Sequence, residues 1–419
     1  MSAITEQKPL VPELRFSGFD GEWKQEKLGN IANVTSSKRV YSADYVTSGT
    51  PFFRGKEITE LKNGELPSNL LYIKKSRYDE FKNTFGAPAN GDILITSVGT
   101  LGNVYKVDLE YDFYFKDGNL IWLKELKIDS SFLTFNLTRN KENLLKNHIG
   151  STQKALTIDG IKKTELVVAE TLPEQHKIAD FLGSVDAWLD NLRGQKTALQ
   201  SYKQGMMQKL FSGQIRFKDE EGRNYPEWQE VSMSDIGDSF GGLSGKSGDD
   251  FGQGESFITY KQIFDDSIIE PEKFAQVTVA PGEKQNRAQK GDVFFTVSSE
   301  TPNEVGYASV LMEDVNPYLN SFAFGFRPKS ITDLLPEYSR YHFRSAPFRR
   351  QVVRLAQGST RYNISKVQFM KLVIEIPPPG EQQKIADFLT ALDQTITTKA
   401  DEITKVEEWK KGLMQKMFV

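Results

Sequence analysis

The stretch EQHKIADFL begins at Glu174 and returns as EQQKIADFL at Glu381, 207 positions later. A segment repeated at that distance restricts the chain to architectures built from two domain-sized halves, because 207 residues is far too long for a solenoid unit. The likeness extends on both sides. IGSTQKALTIDGIKKTELVVAETLPEQHKIADFL, from Ile149, aligns with QGSTRYNISKVQFMKLVIEIPPPGEQQKIADFL, from Gln357. SYKQGMMQKLF, ending at Phe211, aligns with EWKKGLMQKMF, ending at Phe418, and GDILITSVG from Gly91 resembles GDVFFTVSS from Gly291.

Each repeated tail has the period of a long helix. Ile178, Val185, Leu192, Leu199 and Met206 recur every seven residues, interleaved with Leu182, Leu189, Lys196, Lys203 and Leu210. In the second tail the two series are Ile385, Leu392, Lys399, Val406, Leu413 and Leu389, Ile396, Ile403, Lys410, Met417. This is the apolar seam of a coiled coil, and the lysines are expected to extend their heads to water. A helix of this kind, about 38 residues long, is a rod of roughly 57 Å. The expected fold is α/β: two mixed α/β domains separated by an antiparallel two-helix coiled coil, with a pseudo-twofold internal repeat. The expected segments are a tail over 1–11, a variable domain over 12–172, a helix over 173–212, a second variable domain over 213–378 and a second helix over 379–419. Within the variable domains, DILITSV, DVFFTVS, VVAE and LVIEIP read as strands, and 131–148 and 334–356 as helices.

Composition and motifs exclude more chemistry than they suggest. The chain contains no cysteine, which rules out disulfides, thiol nucleophiles and cysteine-ligated zinc and suits the cytoplasm. It has no apolar run long enough to span a membrane, and its start lacks the pattern of a secretory signal. His148, His176 and His342 show no metal-ligand spacing and are expected on helix surfaces. Gly245-Lys246-Ser247 resembles the end of a phosphate-binding loop, but Phe240 stands where its first glycine belongs. The segment therefore reads as a glycine-rich loop.

Polar and basic loop clusters remain as candidate binding residues. In the first half these are Ser36, Ser37, Lys38 and Arg39; Arg54 and Lys56; Ser97 and Thr100; and Ser151, Thr152, Gln153 and Lys154. In the second they are Lys246 and Ser247; Tyr260 and Lys261; Ser298; and Ser359, Thr360, Arg361, Tyr362 and Asn363. Arg, Lys, Gln and Asn are the side chains that read base edges, while Ser, Thr and main-chain amides mostly hold phosphates. The net charge of −3 is no obstacle, because phosphate attraction needs only a local basic surface.

Gly-Asp-Ile-Leu, then Gly-Ser-Thr, a strand, and Pro followed by Glu-Gln-x-Lys-Ile, all doubled, closely resemble the specificity subunit of type I restriction–modification systems. The resemblance covers nearly the whole chain after its first ten residues. It implies that the variable domains are target recognition domains, each reading half of a bipartite asymmetric sequence in double-stranded DNA, and that the helices are a spacer setting the gap. It further implies a non-catalytic subunit without a cofactor of its own. Two methyltransferase subunits using S-adenosylmethionine, and two restriction subunits using ATP and Mg, would be its partners, with no membrane involved. The competing reading is a structural coiled-coil adaptor with two protein-binding modules.

Overall fold

The computed structural model describes residues 9–146, 148–150 and 154–419. The chain forms two compact units, Met1–Gly194 with Asp401–Val419, and Gln195–Ala400. Each unit holds one mixed α/β domain together with parts of two long helices, Leu172–Phe211 and Pro379–Met417.

The two domains repeat one topology. In the first unit a four-stranded antiparallel sheet runs in the order Asn33–Thr35, Leu120–Lys124, Ile93–Thr96, Val104–Lys106. In the second the order is Gly237–Gly241, Ala323–Pro328, Val293–Thr296, Ala308–Val310. The central strands ILIT and VFFT are buried on both faces, which is why they are continuous apolar runs without alternation. Beside each sheet lies a smaller one containing a parallel pair, Thr50–Phe53 with Tyr114–Phe115 and Phe251–Ile258 with Tyr318–Leu319. A two-stranded antiparallel ribbon completes each domain: Lys24–Lys27 with Glu165–Val168, and Gln229–Ser232 with Val373–Ile376.

The repeated Gly-Asp pairs are turns that feed the central strands. Gly91 and Gly291 have φ of 90° and 89°, a region that L side chains avoid. A Cβ on Gly291 would also stand 2.6 Å from Ile331 Cγ2. The following aspartates lock each turn. Asp92 accepts from the Ala89 amide at 2.9 Å and the Trp122 indole at 2.8 Å, and Asp292 accepts from the Gln289 amide at 2.8 Å and from Arg327 at 2.7 Å.

The Glu-Gln of each repeated nonapeptide is buried, and this explains why both copies keep it. Glu174 accepts both nitrogens of a bidentate Arg15 fork, at 2.7 and 2.9 Å, and the Trp23 indole N–H at 3.2 Å. Glu381 does the same with Arg216, at 3.2 and 2.9 Å, and with the Trp228 indole at 3.0 Å. Gln175 accepts from the Asp129 amide and donates to the Ala169 carbonyl, and Gln382 accepts from Leu335 and donates to the Asp333 and Pro377 carbonyls. A buried carboxylate or amide must find such partners, so these two residues fix each helix start to its own domain.

The helices pack antiparallel within each unit. In the first, Val185, Leu189 and Leu192 share a core with Ile403 and Val406, and Ile178 and Leu182 join the domain core with Leu413. In the second, Leu210, Ile385 and Leu389 share a core, with Met206 and Leu392 partly buried against it, while Leu199 and Ile396 are half-buried. Two of the four seam lysines depart from expectation. Lys203 pairs with Asp393 and Lys410 with Asp186, instead of reaching to water. The two pairs are the same interaction under the 207-residue repeat, since 203 maps to 410 and 186 to 393.

Two other expectations are corrected. Residues 131–148 do not form one helix: Ser130–Arg139 and Lys141–Lys146 are separated at the cap residue Asn140, and His148 lies in a two-residue strand. The run 334–356 is likewise broken into Pro336–His342 and Ala346–Val353, because Pro347 can stand only in the first turn of a helix. His176 is exposed, but His342 is buried, stacked on Tyr338 and hydrogen-bonded to its hydroxyl at 2.9 Å. Burial pushes the His342 imidazole down to about 3.

Candidate nucleic-acid interface

In each domain the loops at one edge of the sheets are joined by hydrogen bonds. In the first, Ser97 follows the central strand and is 2% exposed. Its amide donates to the Asn119 carbonyl at 2.9 Å, its hydroxyl to the Gly118 carbonyl at 2.8 Å, and its carbonyl accepts from the Leu156 amide at 2.9 Å. One residue thus ties three loops. Ser36 donates to the Leu120 carbonyl at 2.9 Å and Ser37 to the Phe115 carbonyl at 2.6 Å. The Lys116 amide donates to the Phe53 carbonyl at 2.8 Å, which brings in the segment leading to Arg54 and Lys56.

Four clusters that are remote in sequence therefore meet, but their members differ in what they offer. Ser36, Ser37 and Ser97 spend their hydroxyls on main-chain carbonyls. Arg54 is committed to the wholly buried Glu57, forming a capping box at the start of the helix Gly55–Lys62. The outward groups are Lys38, Arg39, Lys56, Thr100 and Lys154. Arg39 is braced by Asp117 at 3.0 Å, and that hydrogen bond raises the guanidinium pKa further. Ser151, Thr152 and Gln153 lie outside the described residues.

The second domain builds the same edge from different side chains. The Val297 amide donates to the Phe322 carbonyl at 3.0 Å, the Val297 carbonyl accepts from Ile364 at 3.0 Å, and the Asn320 amide donates to the Ile258 carbonyl at 3.0 Å. Ser298 pairs with Asn363 in a short ladder, and its carbonyl accepts the Tyr260 hydroxyl at 2.6 Å. The second Gly-Ser-Thr is the tip of a hairpin closed by reciprocal Gln357–Asn363 amide bonds of 2.9 and 2.8 Å. Ser359, Thr360 and Arg361 are exposed there, whereas Tyr362 is partly buried against the core. Lys261 is exposed and pairs with Asp265. Lys246 is turned inward: its side chain is 8% exposed and 2.6 Å from Glu283, whose carboxyl it holds down at about 2. Ser247 caps Asp250 at 3.0 Å. These two residues latch the glycine-rich loop.

Sequence reasoning missed two groups at these edges. Lys116 and Asp117 sit in a Lys-Asp-Gly turn whose Gly118 has φ of 71°, a signal legible as a turn but not as a binding loop. Phe322 occupies the position of Asn119, as both carbonyls accept from the residue that follows the central strand. Its side chain is 57% exposed although its amide and carbonyl are fixed by Asn320 and Val297, and the Arg361 guanidinium stands 6.0 Å from its ring. A rigidly held aromatic beside a cation is suited to stacking on a base or contacting a thymine methyl. Among the described residues there is no cluster of three or more metal-capable side chains, and no helix is long and apolar enough to cross a membrane.

Comparison with known proteins adds the following. The family described as the type I restriction modification DNA specificity domain matches residues 20–201 and again 225–408. A Haemophilus influenzae protein named as a type I restriction enzyme specificity subunit is 27% identical over 169 residues, covering 40% of this chain and 41% of the relative. A Methanocaldococcus jannaschii protein named as a specificity subunit is 24% identical over 420 residues, covering 94% of this chain and 92% of the relative. The crystal structure of the type I restriction-modification S subunit from M. genitalium has a TM-score of 0.54 at 15% identity, covering 98% of this chain and 99% of that one.

Proposed function

Because the chain belongs to the type I restriction–modification DNA specificity family, we propose that it is the non-catalytic sequence reader of a type I restriction–modification complex. Each domain reads one half of a bipartite, asymmetric target in double-stranded DNA. The observation that carries this reading is the pair of loop edges. Both stand on one main-chain framework, yet one presents Lys38, Arg39, Lys56, Thr100 and Lys154, and the other Lys261, Phe322, Ser359, Thr360 and Arg361. One scaffold with two sets of outward side chains is what reading two different half-sites requires.

The long helices act as the spacer that sets the gap, and the repeated surfaces dock two methyltransferase subunits equivalently. Those subunits bring S-adenosylmethionine and flip the target adenine, and two restriction subunits bring ATP and Mg for translocation and cleavage. A cytoplasmic setting fits a cysteine-free chain.

The test is methylome sequencing of cells that carry the complete system with segment 12–172 exchanged for that of a related subunit. One half of the methylated motif changes and the other half stays. A change in both halves, or in neither, contradicts the assignment. A protein-only adaptor would leave no methylation motif dependent on this chain.

A further inference from the structure

The second unit contains a groove of about 800 Å³, between residues 200–208 of the central helix and the helix Ala346–Val353. Its lining includes Arg344, Arg349, Arg350 and Arg354 but no carboxylate. Arg344 spends its donors on main-chain oxygens, bonding Ala308 at 2.6 Å, Ile263 at 2.8 Å, Phe264 at 3.1 Å and Asp266 at 2.6 Å. Arg349 likewise bonds the Gly306 and Asn303 carbonyls at 2.6 and 2.8 Å. Burial draws the Arg344 guanidinium down to about 10, and Arg349 also falls below its ordinary value for the same reason. Arg350 and Arg354 are exposed, lie one helical turn apart and form no ion pair with a described residue. Lys203, also in the lining, is paired with Asp393, but the two exposed arginines concentrate positive charge beside an open space whose lining holds no carboxylate, although like charges at this spacing oppose helix formation.

We infer that this groove holds the sugar–phosphate backbone of DNA flanking the half-site, independently of base sequence. Two observations favour phosphate. Planar guanidinium forks match phosphate oxygens, and the wall opposite them carries Gln200, Gln204 and Gln208, whose amides also bond phosphates. The groove lies beside the recognition edge: Tyr307, which lines it, packs on Phe264 at 5.0 Å, Phe264 stacks on Tyr260 at 6.0 Å, and the Tyr260 hydroxyl bonds Ser298.

The inference rests on the DNA-reading role proposed above, and the experiment separates the two. The complete complex is titrated with target and scrambled duplexes over a range of salt, using the wild type and the Arg350→Ala/Arg354→Ala double variant. Each lost phosphate contact lowers the magnitude of the log affinity–log salt slope by about 0.9, so the double variant becomes shallower by roughly 2, equally on both duplexes. Arg350→Lys/Arg354→Lys restores the slope. An unchanged slope sinks the groove assignment while leaving the reading role intact. An unchanged slope with weakened recovery of partner subunits instead identifies the occupant as an acidic segment of a partner. A loss confined to the target duplex also overturns sequence-independent holding. A wild-type complex with no preference for its target overturns the reading role itself.

Discussion

His342 shows how one buried side chain couples the fold to pH. Its imidazole titrates near 3 in the folded chain and near 6.5 when unfolded. Between those values the unfolded state binds the extra proton, so stability is fully present above pH 6.5 and declines as pH falls toward 3. By pH 5 the loss amounts to about 2 kcal/mol. Thermal melts of the wild type and His342→Phe across pH 7 to 4 check this, and the variant should lose that part of the pH dependence. The carboxylates of the repeated nonapeptides carry a larger effect. Removing Glu381 strands the Arg216 fork and the Trp228 N–H, so Glu381→Ala should cost about 3–5 kcal/mol in denaturant unfolding of the second unit. Glu174→Ala should do the same to the first. Phe322→Ala, by contrast, should leave stability within about 0.5 kcal/mol because the ring faces outward, yet weaken target binding on one half-site only. Titrating duplexes mutated in either half checks that.

Among the elements, the long helices were legible in the sequence because a heptad pattern is local and long. The lysine–aspartate pairs were not, since Asp186 and Asp393 sit beside the seam positions and meet their lysines on the other helix. Those two pairs differ in company. Asp393 also accepts the Tyr341 hydroxyl at 2.7 Å and approaches Arg340 at 3.5 Å, whereas among the described residues Asp186 has Lys410 alone. Asp393→Ala should therefore destabilise its unit by about 1–3 kcal/mol, and Asp186→Ala its own by no more than about 1 kcal/mol. Chemical denaturation of the two variants side by side compares them. The shorter helices were misread where an apolar period ran on across a break. The Pro347 signal was present but outweighed, and Asn140 gives little warning as a cap.

For the whole molecule, the repeat predicted two domains of one design, and the main four-stranded sheets agree strand for strand, while the second sheet has four strands in the first domain and three in the second. The candidate binding edges were only half legible. Composition and loop position picked out clusters that do converge, but which members face outward depends on partners from distant segments. Ser97 looks like a phosphate ligand until Gly118 is placed against it, and Phe322 looks like a core residue until Asn320 and Val297 fix its backbone outward. At this scale the proposed spacer role also makes a prediction. Four residues inserted near Gln200 should alter the distance between the two methylated half-sites and leave the letters of each unchanged, which motif analysis of the resulting methylome checks directly.

The floor of each edge is made of main-chain bonds, with the serines that brace it pointing down. Lys38, Thr100, Lys154, Ser359 and Thr360 can therefore be exchanged at almost no cost to folding. The outward groups are thus free to vary together or one at a time, while the protein beneath them stays as it was.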